Sequence, residues 1–88
     1  MSQRQKLLAQ LLGGQSDRSI DFSAICTLLV YLGFEQRVRG SHHLFAYSGI
    51  EEIINIQPST GNRLKAYQAR QIRELLLKYQ RSLKIDLS

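Results

Sequence analysis

Histidine and arginine meet at one turn of this sequence. His42 and His43 directly follow Gly40-Ser41, and Arg37 and Arg39 precede it. Histidine changes charge near neutral pH, so it can take and return a proton. Arginine stays charged and holds phosphate oxygens in a planar fork. One imidazole beside two guanidinium groups suits the binding and cleavage of a phosphodiester. Ser41 adds a hydroxyl that can position a phosphate, although turn chemistry alone also accounts for a serine there.

The flanking residues say how these groups are positioned. Phe34, Gln36 and Val38 alternate with Glu35, Arg37 and Arg39, and His43, Phe45 and Tyr47 alternate with His42, Leu44 and Ala46. Two period-two runs joined by a two-residue turn with glycine predict a β-hairpin, with strands near 34–39 and 42–47. If Gly40 and Ser41 form the turn, Arg39 opposes His42, Val38 opposes His43 and Arg37 opposes Leu44. Opposed residues share a face. Phe34, Gln36, Val38, His43, Phe45 and Tyr47 then form a core face. Arg37, Arg39, His42, Leu44 and Ala46 form a face open to water. On this reading His43 is a hydrogen-bonded histidine at the core edge, and His42 is the proton-transfer candidate.

Ser48-Gly49 is a second turn signal, and residues 50–57 read as a third strand stopped by Pro58. Its register sets Asn55 next to His42 and Ile53 next to Leu44. Strict alternation puts Glu52 on the core side with Ile50 and Ile54, a conflict that a bulge or an edge position would remove. Asp21 is a plausible N-cap for a helix over 22–32, with Phe22, Ile25, Cys26, Leu29 and Leu32 on one side and Gly33 as its stop. After a 59–62 loop, a last helix is expected over 66–81. Ala69, Ile72, Leu75, Leu76, Tyr79 and Leu83 form its stripe, with Leu77 projecting among polar residues. Residues 2–12 can form a short helix ended by Gly13-Gly14, and 15–19 read as a linker.

The expected architecture is α+β: helix, three antiparallel strands and helix as a two-layer sandwich, behind a short N-terminal helical extension. We divide the chain into an extension, 1–19, and a domain, 20–88. At 88 residues, 43% hydrophobic and 22% charged, the chain fits one soluble globular domain with a modest core. No apolar run reaches membrane-spanning length, and the N-terminus is a poor signal peptide, so the cytoplasm is the expected location. The lone Cys26 reads as a core residue, and one cysteine with two adjacent histidines does not make a structural zinc site. The net charge is +5. It concentrates in the C-terminal third, where Arg63, Lys65, Arg70, Arg73, Lys78, Arg81 and Lys84 face only Glu74 and Asp86. Such a balance favours a polyanionic partner, and equally fits a solvated helix.

Leu32-Gly33-Phe34-Glu35 followed by Arg39-Gly40-Ser41-His42-His43-Leu44-Phe45 resembles the HicA toxin family of bacterial toxin–antitoxin systems. The later run Lys65-Ala66-Tyr67-Gln68-Ala69-Arg70-Gln71-Ile72-Arg73 looks like one branch of it, so the resemblance covers about residues 20–80. It implies a fold similar to the double-stranded-RNA-binding domain. It implies ribonuclease activity on mRNA, and neutralisation by an antitoxin of the HicB family. Gly40, Ser41 and His42 match the family's Gly-Ser/Gly-His motif, whose histidine is catalytic. The chain departs from many members after the third strand, where Gln57-Pro58-Ser59-Thr60-Gly61 lacks a further histidine. It also departs at the start of the last helix, which lacks Gly-Thr.

Together these readings give an RNA endonuclease that needs no metal or other cofactor, with His42 as general acid/base. Arg37, Arg39, Gly40 and Ser41 are the expected RNA-binding residues at the turn, and Lys65, Arg70 and Arg73 extend the basic track. Leu44, Ile53 and Leu77 are apolar residues expected to face outward, and are assigned to the antitoxin interface. No membrane partner is expected. The sequence does not fix an oligomeric state, and a monomer is the expectation for the free chain. The competing reading is a non-catalytic RNA-binding module in which His42 only contacts a phosphate. A pure protein-interaction domain is a third class, which undetectable RNA binding at low salt would indicate.

Overall fold

The computed structural model describes residues 2–14 and 17–85. Gln15 and Ser16 of the expected linker, and residues 86–88, lie outside the described residues. The element order is α1 (Gln3–Gly13), a 3-10 turn (Asp17–Ser19), α2 (Phe22–Tyr31), β1 (Glu35–Arg39), β2 (His42–Tyr47), β3 (Ile50–Ile56) and α3 (Ala66–Lys78). The strands form one antiparallel sheet in the order β1-β2-β3. This is a small α+β fold whose helices supply one layer and whose sheet supplies the other.

Local chemistry sets the element ends. Asp21 accepts from the Ala24 amide and caps α2, and Ser2 with Gln5 forms a reciprocal capping box on α1. Gly14 ends α1 in the left-handed conformation, with φ 72. The loop after β3 is stitched to the start of α2: the Leu64 amide donates to Ile20 O, and the Phe22 amide to Asn62 O, both at 2.9 Å.

One core joins both layers. Phe22, Ile25, Leu28 and Leu29 of α2 and Ala69, Ile72 and Leu76 of α3 are buried with Phe34, Phe45, Ile50, Ile54 and Ile56 from the sheet side. Leu11 of α1 is fully buried in the same cluster, so the N-terminal helix shares the core of the rest.

Several expectations need correction. The last helix stops at Lys78, not 81. Leu83 reaches the core from a turn in which the Leu83 amide donates to Tyr79 O and Lys84 takes φ 57. The helical spacing of Leu83 therefore does not reflect a helix. Asp17–Ser19 form a 3-10 turn where a linker was expected. Val38, expected on the core face, is 56% exposed, because every residue of the edge strand β1 lies beyond the cover of the helices.

The β2–β3 register also differs from strict continuation of the turn. Tyr47 pairs with Ile50, but Phe45 pairs with Ile54 and Leu44 with Asn55. Between these pairs β2 contributes Ala46 alone, while β3 contributes Glu51, Glu52 and Ile53. The slip is two residues, so every β3 side chain keeps its face. Glu52 stays on the helix side of this edge strand. Its carboxylate is satisfied there by Lys78 Nζ at 2.9 Å and by the Tyr79 hydroxyl.

Candidate functional site

The Gly40-Ser41 turn sets His42 at the start of β2. Gly40 takes φ 60 while Ser41 stays at negative φ, the pattern of a type II′ turn led by glycine. A Cβ on Gly40 would meet no atom within 4 Å, so glycine is required by conformation and not by space. Across the turn Arg39 pairs with His42 and Arg37 with Leu44, as the hairpin reading requires. These four side chains share the sheet face away from the helices. On it, Glu35, Arg37, Arg39, Leu44, Ala46 and Ile53 line a shallow depression of about 320 Å3.

His42 is exposed, and its Nδ1 lies 3.1 Å from Asn55 Oδ1. Asn55 stands opposite Leu44 and reaches His42 on the diagonal. Ser41 Oγ donates to Gln57 Oε1 at 3.2 Å, so the serine proton is already engaged and its lone pairs remain. Two outward side chains, Asn55 of β3 and Gln57 just after it, thus bond the start of β2 and the turn.

The charge on this face is mixed. Glu35 lies 3.9 Å from Arg37, with side chains 76% and 72% exposed. A pair so open to water contributes little, and Arg37 can exchange it for a phosphate. His43 faces the other way. Its Nδ1 is 3.0 Å from Gln36 Nε2, and its ring meets Phe22 edge-on at 4.9 Å. The open face therefore holds one histidine.

The α3 residues divide. Gln71 and Leu75 border Ile53 and Asn55 in a groove of about 280 Å3, and Lys78 bonds Glu52, which marks the side of α3 along β3. Arg73 marks the other side. Its Nη1 donates to Asp17 and to the Leu11 carbonyl. Leu77 lies four residues after Arg73 and Arg70 three before it, so both follow that other side. Leu77 is 43% exposed there, and Arg70 is also exposed. Lys65 is half-buried at the position preceding α3 and makes no side-chain cap. The structure thus brings together Arg37, Arg39, Gly40, Ser41, His42, Leu44 and Ile53. It leaves Lys65, Arg70 and Leu77 in the helix layer. Arg73, expected in the RNA track, ties α3 to α1 and the 3-10 turn.

The strongest electrostatic shifts lie away from the sheet face. The Tyr79 hydroxyl, then Lys78, pull the Glu52 carboxyl down to about 2. Burial, aided by the Asp21 charge, pushes the Cys26 thiol up to about 11, which leaves it protonated and unreactive at neutral pH. Among the described residues no group of three or more His, Cys, Asp or Glu is arranged to hold a metal ion. No helix among them is long and apolar enough to cross a membrane.

Three side chains of the site were given no role from sequence: Glu35, Asn55 and Gln57. The signal was present for the last two. They alternate with buried Ile54 and Ile56, which marks Asn55 and Gln57 as polar amides facing outward beside the turn. Comparison of the chain with known family models, with characterised proteins and with solved structures finds no match in any of the three.

Proposed function

We propose that this chain is a ribonuclease toxin of the HicA kind, with a fold like the double-stranded-RNA-binding domain, acting on mRNA in the cytoplasm. The observation that carries the reading is the exposed His42 on an open sheet face, paired across the hairpin with Arg39 and flanked by Arg37. The Gly40-Ser41-His42 motif adds the family resemblance.

In this reading His42 accepts the proton of a ribose 2′-hydroxyl. The freed oxygen attacks the adjacent phosphorus, the bond from phosphorus to the 5′-oxygen breaks, and a 2′,3′-cyclic phosphate forms. The leaving oxygen needs one proton, and the proton held by the imidazole supplies it. Arg39 and Arg37 stabilise the charge gathered on the phosphorane. This route uses no metal, makes DNA a non-substrate, and turns over slowly because one histidine serves both steps. A toxic nuclease has to be silenced in its own cell. A HicB-like antitoxin covering the open face would do so, with Leu44 and Ile53 as apolar anchors and acidic groups against Arg37 and Arg39.

The purified protein should cleave single-stranded RNA in excess EDTA and leave cyclic-phosphate ends, and His42→Ala should abolish cleavage with the fold intact. Cleavage by the variant at the wild-type rate would overturn the assignment. The presence of only one histidine on the open face favours a second reading, a non-catalytic RNA-binding module. RNA binding at low salt with no cyclic-phosphate product would establish it.

A further inference from the structure

We infer that Asn55 is a positioning residue for His42, holding the ring with its proton on Nδ1 and its Nε2 turned to the open face. The inference rests on the ribonuclease reading for its catalytic consequence, but its structural part is independent of it.

Asn55 Oδ1 lies 3.1 Å from His42 Nδ1. An amide oxygen only accepts, so Nδ1 is the donor. A neutral imidazole has one N–H, and Nε2 is then left with a lone pair. An isolated histidine prefers the opposite tautomer, and the acceptor at Asn55 reverses that preference. When Nε2 takes up a proton, Nδ1 keeps its own, so the bond to Asn55 persists in both states. One ring orientation therefore serves the base and the acid, and the ring need not turn between steps.

The residue type fits this task. The charged neighbour of His42 across the hairpin is Arg39, with Arg37 beyond it on β1, while β3 presents neutral Asn55 and the residue just after the strand is neutral Gln57. An aspartate at Asn55 would hold the same nitrogen, but its charge would raise the proton affinity of the ring and repel a phosphate. The amide orients without either effect. Gln57, just after β3, also accepts the Ser41 hydroxyl at 3.2 Å, a second side-chain link between the turn and the end of that strand. Asn55 reaches His42 from a position opposite Leu44, a diagonal produced by the two-residue slip.

The test combines the ring nitrogens of His42, read by 15N NMR on free protein above its titration, with steady-state cleavage of a short RNA. The wild type should show the Nδ1–H form, and Asn55→Ala the Nε2–H form with an unchanged circular dichroism spectrum. Asn55→Ala should lower kcat by about 10- to 100-fold, the usual effect of losing a partner that orients a working histidine, with little change in KM. Asn55→Asp should restore the Nδ1–H form and move the base limb of the kcat profile to higher pH, which a merely structural role would not do. An Nε2–H ring in the wild type, or an Asn55→Ala protein with unaltered tautomer and kcat, overturns the inference. A wild type that shows the Nδ1–H form but cleaves no RNA overturns the ribonuclease reading and leaves Asn55 as the residue that sets the ring.

Discussion

Arg73 and Asp17 meet at 3.0 Å with side chains only 18% and 17% exposed. The same guanidinium nitrogen donates to the Leu11 carbonyl at 3.2 Å, in the last turn of α1. A cation at that end also meets the negative pole of α1. Arg73→Ala would strip a half-buried carboxylate of its ion-pair partner and remove the bond to this carbonyl. We expect it to lower stability by about 2 kcal/mol in urea denaturation, the scale of hydrogen bonds to charged groups, and to leave low-salt RNA affinity unchanged. Weaker RNA binding at full stability would return Arg73 to the basic track.

Glu52, Lys78 and Tyr79 give stability a pH signature. The folded Glu52 carboxyl is depressed from 4.5 to about 2, first by the Tyr79 hydroxyl and then by Lys78. A depressed carboxyl stabilises fully above its unfolded value, and the contribution fades as pH falls from 4.5 towards 2. Lys78 and Tyr79 are both raised, mainly through their bonds to Glu52. Their contribution is present below about 10 and fades as pH rises beyond that. Glu52→Gln should thus differ most from the wild type between these limits, and the two melting curves should converge near pH 2. The Lys78 and Glu52 side chains are 63% and 42% exposed, so added salt should narrow the gap. A gap that stays constant down to pH 2 would separate the effect from ionisation.

The three apolar side chains that the sequence marks for a partner interface, Leu44, Ile53 and Leu77, sit on two surfaces. Ile53 is 61% exposed and lines the depression with Leu44, whereas Leu77 lies on the side of α3 marked by Arg73. Burying one such side chain contributes roughly 1.5–3 kcal/mol. Ile53→Asp should therefore weaken binding of a HicB-like partner at least tenfold by calorimetry, and Leu77→Asp should change it little. The reverse order would move the interface to the helix layer.

The hairpin was legible in the sequence because Gly40-Ser41 is local: a turn of fixed length dictates the pairing of Arg39 with His42, and period two dictates the faces. Coverage was not legible. Alternation assigns Val38 to a face, but how far the helices reach across that face depends on packing far along the chain, and at β1 Val38 is left 56% exposed. Arg73 shows the same limit, since a basic residue in a helical pattern carries no sign of Asp17, which meets it only when α3 and the 3-10 turn pack. Alternation sets Glu52 in conflict with the core face, and edge position resolves the conflict through Lys78 and Tyr79. The helix expected to 81 overran because Leu83 has helical spacing by coincidence with a turn that buries it.

The offset between β2 and β3 has a consequence for how this sequence can change in length. The chain slips by two residues between the pairs Tyr47↔Ile50 and Phe45↔Ile54, and an even slip preserves parity. With Ile50 held in the core, one residue added to or lost from 51–53 of a regular strand would turn Asn55 towards the helices and drive Ile54 and Ile56 into water. Two residues added would lengthen the irregular stretch and two lost would remove the slip, and either leaves Asn55 beside His42. Insertions and deletions in this segment are therefore tolerated in pairs, and the distance from the second turn to Asn55 is counted in even steps.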